Sequence, residues 1–175
     1  MLIRRLLPAD AAQYQAVRLA ALRETPSAFG STYEAECETP LATIEGNLSQ
    51  RNLFGAFERG ELVGMIGVGR DHSPKLRHKA TFRAMVVAPA YRGKGVARQL
   101  VEHALAFAES MDGVYQVTLD VTAGNGPAVH LYESMGFRAY GREPRGMLVD
   151  GIYYDTVLMI REFKREGLKQ ELLQT

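Results

Sequence analysis

Two spacings of hydrophobic residues occur along the chain, and each predicts a different kind of element. Between Tyr115 and Val121 every second residue is apolar, which is typical of a strand with one buried face. Between Val96 and Met111 the apolar residues lie three or four positions apart, which is typical of a helix with one buried face. Glycine and proline separate such segments, as they do at turns and helix ends.

These signs predict about seven strands and about four helices. The strands are expected at Leu2 to Leu7, Leu53 to Glu58, Leu62 to Val68, Ala80 to Val87, Val114 to Val121, Phe137 to Arg142 and Tyr153 to Ile160. The helices are expected from Asp10 to Pro26, within residues 31–51, from Val96 to Met111 and over residues 126–135. Hairpin-connected strands come first and a strand–helix–strand crossover follows, which indicates a mixed α/β (α+β) sheet with helices on its faces.

The length predicts one domain. The chain has 175 residues, and a domain commonly holds roughly 100–200. Hydrophobic residues make up 46% and charged residues 23%, an ordinary globular composition that argues against extensive disorder. We expect the domain to span residues 1–163 and residues 164–175 to form a C-terminal tail, with a frayed helix over residues 161–175.

Composition also excludes several classes of protein. The formal net charge of +1 argues against a dedicated nucleic-acid binder, which shows a marked basic excess. No apolar run reaches the ~18 residues of a membrane helix, and the apolar start is too short for a signal peptide. The single Cys37 cannot form an internal disulfide, and the four histidines lack metal-ligand spacing. We therefore expect a cytoplasmic protein that binds neither nucleic acid nor membrane, and no metal site.

The near-neutral total conceals an uneven distribution of charge. Residues 70–98 carry eight basic residues and one acidic residue, whereas residues 24–45 carry five glutamates and no lysine or arginine. The basic stretch suits an anionic ligand, and the acidic stretch would favour a cationic one.

A glycine-rich turn between a predicted strand and a predicted helix lies in the basic stretch, at residues 91–97. Gly93 and Gly95 let a ligand approach the backbone closely, and the start of a helix offers unpaired N–H groups. Arg92 and Lys94 add positive charge, so the turn is a candidate phosphate site. The spacing fits neither a dinucleotide fingerprint nor a P-loop, and an ordinary turn before a helix remains the alternative.

Two motifs carry a resemblance to a known family. The turn Arg92-Gly93-Lys94-Gly95-Val96-Ala97 resembles the motif with which GNAT N-acetyltransferases hold the pyrophosphate of acetyl-CoA. Asn125, followed by the segment from Tyr132 to Phe137, is similar to that family's second motif. The likeness extends over roughly residues 2–163, because the order of elements also matches. It implies a single-domain GNAT-like fold with a mixed, mostly antiparallel central sheet, and acetyl-CoA as the donor.

The resemblance also implies a donor site and a mechanism. The strands over Ala80–Val87 and Val114–Val121 would part at one end, which leaves backbone groups of Met85, Val86 and Val87 for the pantetheine arm of acetyl-CoA. Asn125 would hold that arm or the helix start. The acetyl group would pass directly to an amine in a ternary complex.

Tyr132 is implied as the general acid that protonates the departing thiolate, and its alternative is a core tyrosine. The general base stays open, because residues 81–87 contain no carboxylate where many relatives place a glutamate. Glu34, Glu36, Asp120 or an ordered water chain are the candidates, with Glu34 and Glu36 in the region that walls the acceptor site in the family.

The acceptor and the assembly are less well defined by the sequence. A small amine, an amino acid or a peptide N-terminus all suit the predicted chemistry. Exposed edge strands leave a homodimer open. The missing strand carboxylate also keeps open a non-catalytic module that binds acyl-CoA.

Overall fold

The computed structural model describes residues 1–164, which form one sheet with helices on both faces. Its strands are β1 Leu2–Arg5, β2 Asn52–Glu58, β3 Glu61–Arg70, β4 Lys79–Val87, β5 Gln116–Thr122, β6 Arg138–Val149 and β7 Ile152–Glu162. Its α-helices are α1 Ala11–Glu24, α2 Tyr33–Glu36, α3 Leu41–Gln50, α4 Val96–Ser110 and α5 Gly126–Ser134. The predicted single domain with a mixed seven-stranded sheet is confirmed. Residues 165–175, where we predicted most of the helical tail, lie outside the described residues, and Arg161 and Glu162 belong to β7 and not to the predicted helix.

Residues 31–51 form two short helices where the sequence predicted one weak helix. Pro40 divides them, because it lacks an N–H and the residue before a proline avoids helical backbone. Pro40 is the N-cap of α3, with φ −60° and ψ 143°. The Thr32 hydroxyl caps α2 by accepting a hydrogen bond from the Ala35 N–H at 3.2 Å. Over residues 1–164 the sheet is therefore flanked by five α-helices and not by about four.

The strands described lie in the order β1-β2-β3-β4-β5-β7-β6. Neighbours are antiparallel except for β4 and β5, which run parallel because the crossover through α4 returns the chain to the same end of the sheet. Arg59 and Gly60 connect β2 to β3 with φ values of 49° and 86°. Positive φ at both central residues is typical of a two-residue hairpin turn, so the hairpin predicted here is confirmed.

Some strand boundaries differ from the sequence pattern. β5 begins at Gln116 and not at Val114, whose N–H donates to the Met111 carbonyl at 3.2 Å in the turn after α4. β6 extends to Val149 and β7 begins at Ile152, so the two strands form a longer hairpin than predicted. Most residues of β6 are exposed, and the strand consequently lacks the alternation that identifies a half-buried strand.

The helices cover opposite faces of the sheet. On α4, the predicted inward residues Val96, Leu100, Ala104 and Ala108 are at most 1% exposed. They pack against one face of the central strands, and α1 and α3 pack against the other face beside β2 and β3. The parted ends of β4 and β5, described below, therefore open beside α1 and α3 on one face.

An ion pair joins the end of β1 to the start of α1. The Arg4 guanidinium donates hydrogen bonds of 2.7 and 2.8 Å to the Asp10 carboxylate, and the Leu7 N–H donates a third at 2.8 Å. Asp10 is buried. The Arg4 guanidinium above all, and then the Leu7 N–H, hold the pKa of Asp10 below its usual range against the opposing effect of burial.

We expect Asp10→Asn to lower the free energy of unfolding by about 1–2 kcal/mol at pH 7, because the amide loses the charge that these donors bind. A carboxyl group whose pKa is lowered by folding stabilises the folded protein at pH values above the ordinary pKa of about 4. This stabilisation is lost as the pH falls through the pKa of the folded protein. The difference between wild type and variant should therefore narrow below about pH 4 in urea titrations. Glu162→Gln breaks the exposed pair with Arg138 and should change stability far less; equal losses would contradict the assignment.

Candidate functional site

β4 and β5 part after a short stretch of parallel pairing. Residues 79–81 pair with residues 116–118, and within the described chain no pairing joins the two strands beyond these positions. The rest of β4 and the rest of β5 instead border an opening. Backbone N–H and C=O groups along the opening are available to a ligand. Buried backbone groups need hydrogen-bond partners, and a ligand in the opening can supply them. The predicted parting of these two strands is confirmed.

A bulge in β4 lies at the mouth of the opening. The register between β3 and β4 shifts between Met65 and Gly67, so that Ala84 and Met85 lie opposite a single residue of β3. Ala84 has a φ of 52°, the left-handed region that costs a non-glycine residue roughly 1 kcal/mol. Because a bulge bends its strand, this irregularity turns β4 away from regular pairing next to the opening.

We expect Ala84→Val to lower the free energy of unfolding by about 1–3 kcal/mol, because a β-branched residue fits the left-handed region poorly. Ala84→Gly should be tolerated better, since glycine adopts this φ without strain. Urea unfolding of both variants measures the difference. A valine variant as stable as the glycine variant would show that the bulge is absent in solution.

The opening leads into a cleft of about 1150 Å³ between the sheet and helices α1, α3 and α5. Residues 67–70 of β3, 81–85 of β4 and 119–122 of β5 line it. Small-molecule sites commonly have volumes of about 300–1,000 Å³, so the cleft can hold an organic substrate. A second concavity of about 460 Å³ lies at the β1 edge around Met1 and Phe57, and none of the predicted site residues lines it.

Tyr132 of α5 lines the cleft. Its ring is only 6% exposed and makes an edge contact with Phe137, with 5.5 Å between ring centroids. Burial raises the pKa of the Tyr132 phenol well above its usual value, and the Asp120 carboxylate raises it further. The side chain therefore stays protonated throughout the physiological pH range. Tyr132 is thus a core residue that borders the cleft, a position compatible with both alternatives, and its role as general acid stays a prediction.

Asn125 caps α5 and lines the same cleft. Its side-chain oxygen accepts a hydrogen bond from the Ala128 N–H at 3.2 Å, so the N-cap predicted as one of its two roles is confirmed. The side-chain NH₂ group takes no part in the cap. It is a hydrogen-bond donor suited to a ligand in the cleft.

The glycine-rich turn connects β4 to α4 and is exposed. Gly93 and Gly95 have φ values of 71° and 78°, which residues other than glycine rarely adopt. Gly95 is the N-cap of α4, and the Gln99 N–H donates to its carbonyl at 3.2 Å. The N–H groups of residues 96–98 consequently have no acceptor within the helix. Together with the positive end of the helix dipole they suit an anion.

Arg92 is already engaged with other parts of the chain. Its guanidinium binds both oxygens of Glu24 at 2.8 and 2.6 Å, and its Nε donates to the Val87 carbonyl at 3.1 Å. The Glu24 carboxylate thus offsets the positive charge that Arg92 was expected to add to the turn, and the Val87 carbonyl, expected to be unpaired, accepts a hydrogen bond from Arg92. These contacts of Arg92 depend on the tertiary structure, because α1 ends beside the turn and brings Glu24 to it.

The other residues predicted at the donor site divide among cleft, core and surface. Met85 lines the cleft. Val86 and Val96 are buried in the core, and Ala97 is half-buried in the first turn of α4. For these three residues the backbone, and not the side chain, is the group that a ligand would contact. Lys94 is exposed and leaves its ammonium group available to an anion.

The two predicted glutamates have different surroundings. Glu36 lines the cleft, and its two oxygens accept hydrogen bonds from Arg18 at 2.8 and 3.0 Å. Arg18 holds the pKa of Glu36 below its usual range, which makes this carboxylate a poor proton acceptor. Glu34 is exposed on α2 and is not among the residues of the cleft wall. Asp120 lines the cleft and lies close enough to Tyr132 to raise its pKa.

Arg18 is a cleft residue that the sequence analysis did not single out. It follows Tyr14 by four residues and precedes Ala21 by three, so it lies on the apolar face of α1. An arginine on a buried helix face needs a partner, so its position on the apolar face of α1 was the feature of the sequence that could have identified Arg18. The identity of that partner was not readable from the sequence, because Glu36 lies on another helix.

Within residues 1–164 no group of three or more His, Cys, Asp or Glu side chains is arranged to hold a metal ion. In the same part of the chain no helix is long and apolar enough to cross a membrane. Cys37 is a free, half-buried thiol whose sulfur lies 3.6 Å from the Glu34 carbonyl oxygen.

Residues 17–137 match the family model described as "Acetyltransferase (GNAT) family". The spermidine N(1)-acetyltransferase of Vibrio cholerae is 32% identical over 111 residues, which cover 63% of this chain and 57% of that protein. The N-alpha-acetyltransferase RimI of Mycobacterium tuberculosis is 37% identical over 98 residues, which cover 55% of this chain and 58% of that protein. The chain thus spans less than two thirds of the length of these relatives.

The fold also matches solved structures. That of yncA from Salmonella typhimurium, determined with its cofactor acetyl-CoA, has a TM-score of 0.82 at 22% identity. The match covers 98% of this chain and 99% of that chain. At this level of identity the likeness shows the shared fold.

Proposed function

Because the chain belongs to the GNAT acetyltransferase family, we propose that it transfers the acetyl group of acetyl-CoA to a primary amine in a ternary complex. One observation carries the proposal: the parted β4 and β5 strands open beside a glycine turn that starts α4. The relatives named for spermidine and for α-amino groups support an amine as the acceptor.

The residues around the opening fit acetyl-CoA. The free backbone groups of β4 near Met85 suit the amides of the pantetheine arm, and the Asn125 NH₂ group would donate to the same arm. The N–H groups of the turn and of residues 96–98 would bind the pyrophosphate, with Lys94 adding charge. Arg92 would position the turn through its bonds to Glu24 and Val87.

Acetyl-CoA supplies a thioester whose acyl carbon an amine can attack. A backbone N–H of the bulged part of β4 would stabilise the negative charge that develops on the thioester oxygen. Tyr132 would donate its phenolic proton to the departing sulfur. The attacking ammonium must first lose a proton, and Asp120 is a cleft carboxylate without an ion pair among the described residues. We assign Asp120, directly or through water, as the proton acceptor in place of Glu34 and Glu36.

The test is an acetyl-transfer assay that detects the free thiol of CoA. The protein is incubated with acetyl-CoA and a panel of amines that includes polyamines, amino acids and peptides with free N-termini, with hydrolysis in the absence of amine as the control. Amine-dependent release of thiol with formation of the acetylated amine is expected. Binding of acetyl-CoA without transfer to any amine would instead support a non-catalytic acyl-CoA-binding module.

A further inference from the structure

Arg18 is an arginine buried at the α1 side of the cleft. It is 9% exposed, and its guanidinium carbon lies 4.9 Å from the centroid of the Phe29 ring. Nε and Nη2 donate to the carboxylate of Glu36 at 3.0 and 2.8 Å. One edge of the guanidinium is therefore satisfied by an ion pair of fixed geometry.

The other terminal nitrogen of Arg18 is unpaired. Nη1 is buried and has no hydrogen-bond acceptor among the described residues. An unpaired buried donor on a charged group is costly, so such groups are usually satisfied by protein, water or ligand. Since Arg18 lines the cleft, a molecule that occupies the cleft can supply the missing acceptor atom.

The cleft as a whole carries more cationic than anionic side chains. Among the described residues that line it, the arginines are Arg18, Arg51, Arg70 and Arg83, and the carboxylates are Glu36 and Asp120. The stretch 24–45 lines part of the cleft but contributes only one carboxylate to it, so the negative charge expected there for a cationic acceptor is small. Of its glutamates, Glu36 lines the cleft but is neutralised by Arg18, while Glu24 is paired with Arg92 outside it.

Arg83 is a second cation of the cleft wall. It extends from β4 across two glycines of β3, where a Cβ at Gly69 would lie 2.5 Å from Nη2 and a Cβ at Gly67 would lie 3.1 Å from Cγ. The absence of side chains at both positions makes room for the guanidinium. Arg83 makes no hydrogen bond or ion pair that would neutralise it within residues 1–164.

We propose that the amine acceptor carries a carboxylate or another oxyanion, which Arg18 Nη1 and Arg83 bind while the amino group faces the opening between β4 and β5. An amino acid with a free carboxylate fits this description, whereas a polyamine does not. The inference rests on the proposed function, since it names the substrate class of the same cleft. The guanidinium groups act by holding the substrate and exchange no proton with it.

The experiment compares matched acceptors that differ only in the anionic group. Each amino acid of a panel is assayed beside its carboxamide and its decarboxylated amine, with aminoalkylphosphonates to separate carboxylate recognition from general oxyanion recognition. We expect kcat/KM to be about tenfold or more higher for the anionic member, mainly through KM. The N-acetyl amino acids and N-acetyl amino acid amides serve as binding probes for CoA-loaded protein in calorimetry, a measurement that does not require turnover.

Four variants separate recognition from structural effects. Arg18→Met and Arg83→Met should each reduce the preference for the anionic acceptor about tenfold. Because Arg83 is exposed, its replacement tests the proposal even if Arg18→Met unfolds the protein. Glu36→Gln breaks the same ion pair as Arg18→Met but keeps Nη1, so it should retain or increase the preference. Arg23→Met removes the same charge from α1 outside the cleft wall and should leave the preference unchanged.

The outcomes distinguish this inference from the proposed function. Equal kcat/KM for anionic and neutral partners, or equal losses in Arg18→Met and Glu36→Gln, would overturn the inference and leave the acetyltransferase assignment in place. Preferential binding of the anionic probes without transfer to any amine would support the inference and overturn the assignment. If neither transfer nor preferential binding is found, both are wrong.

Discussion

Replacing Tyr132 by phenylalanine is expected to lower kcat by about 10²-fold or more, with little change in the affinity for acetyl-CoA. The expectation follows because Tyr132 lines the cleft although the residue is only 6% exposed. Phenylalanine keeps the ring and its edge contact with Phe137, so the variant removes the proton donor and little of the packing. The proposed function places the thioester in this cleft, so the departing sulfur would then leave without a protein acid.

Rates of thiol release and calorimetric affinities for acetyl-CoA together test this assignment, and unfolding curves verify that the variant is folded. Tyr140→Phe removes an exposed hydroxyl and is the control, expected to retain full activity. Because burial raises the pKa of Tyr132, the wild-type rate should show no loss from ionisation of this phenol as the pH rises to about 10. Full activity of the Phe variant would mean that another group protonates the thiolate.

Gly95→Val is expected to weaken acetyl-CoA binding by about tenfold or more while the protein stays folded. A Cβ at Gly95 would have a single atom within 4 Å, the Gln99 Nε2 at 4.0 Å, so the folded protein has room for it. The same space is where the pyrophosphate would approach the N–H groups of α4. The φ of 78° adds a backbone cost of roughly 1–2 kcal/mol, which lowers stability without removing the site.

Gly60→Val is the matched control for this backbone cost. Gly60 has a φ of 86° with nothing within 4 Å of its Cβ position, and it lies in the turn between β2 and β3. Its variant should lose a similar amount of stability and keep the affinity for acetyl-CoA. The two affinities are measured by calorimetry and the two stabilities by urea unfolding. An unchanged affinity in Gly95→Val would remove the pyrophosphate from this turn.

The proposed donor side was predicted from the sequence more fully than the proposed acceptor side. The glycine turn, the N-cap at Asn125 and the exposed Lys94 lie within a few residues of the elements that they start, so local pattern sufficed to place them. The acceptor side depends on Arg18, Glu36 and Arg83, which belong to three different elements. The sequence predicted an acidic wall there because it showed the glutamates but not their partners.

The sequence by itself determined the elements whose signal is local. The buried face of α4 and the alternation of β5 follow from the spacing of apolar residues. The tertiary structure alone decided which charged residues line the cleft and which are paired. Arg18 pairs with Glu36 across 18 positions and Arg92 with Glu24 across 68. The strength of an ion pair depends on the distance between its charges, and the packing of helices on the sheet sets that distance. Such distances produce no periodic pattern in the sequence, so the excess of cationic side chains in the cleft is visible only in the tertiary structure.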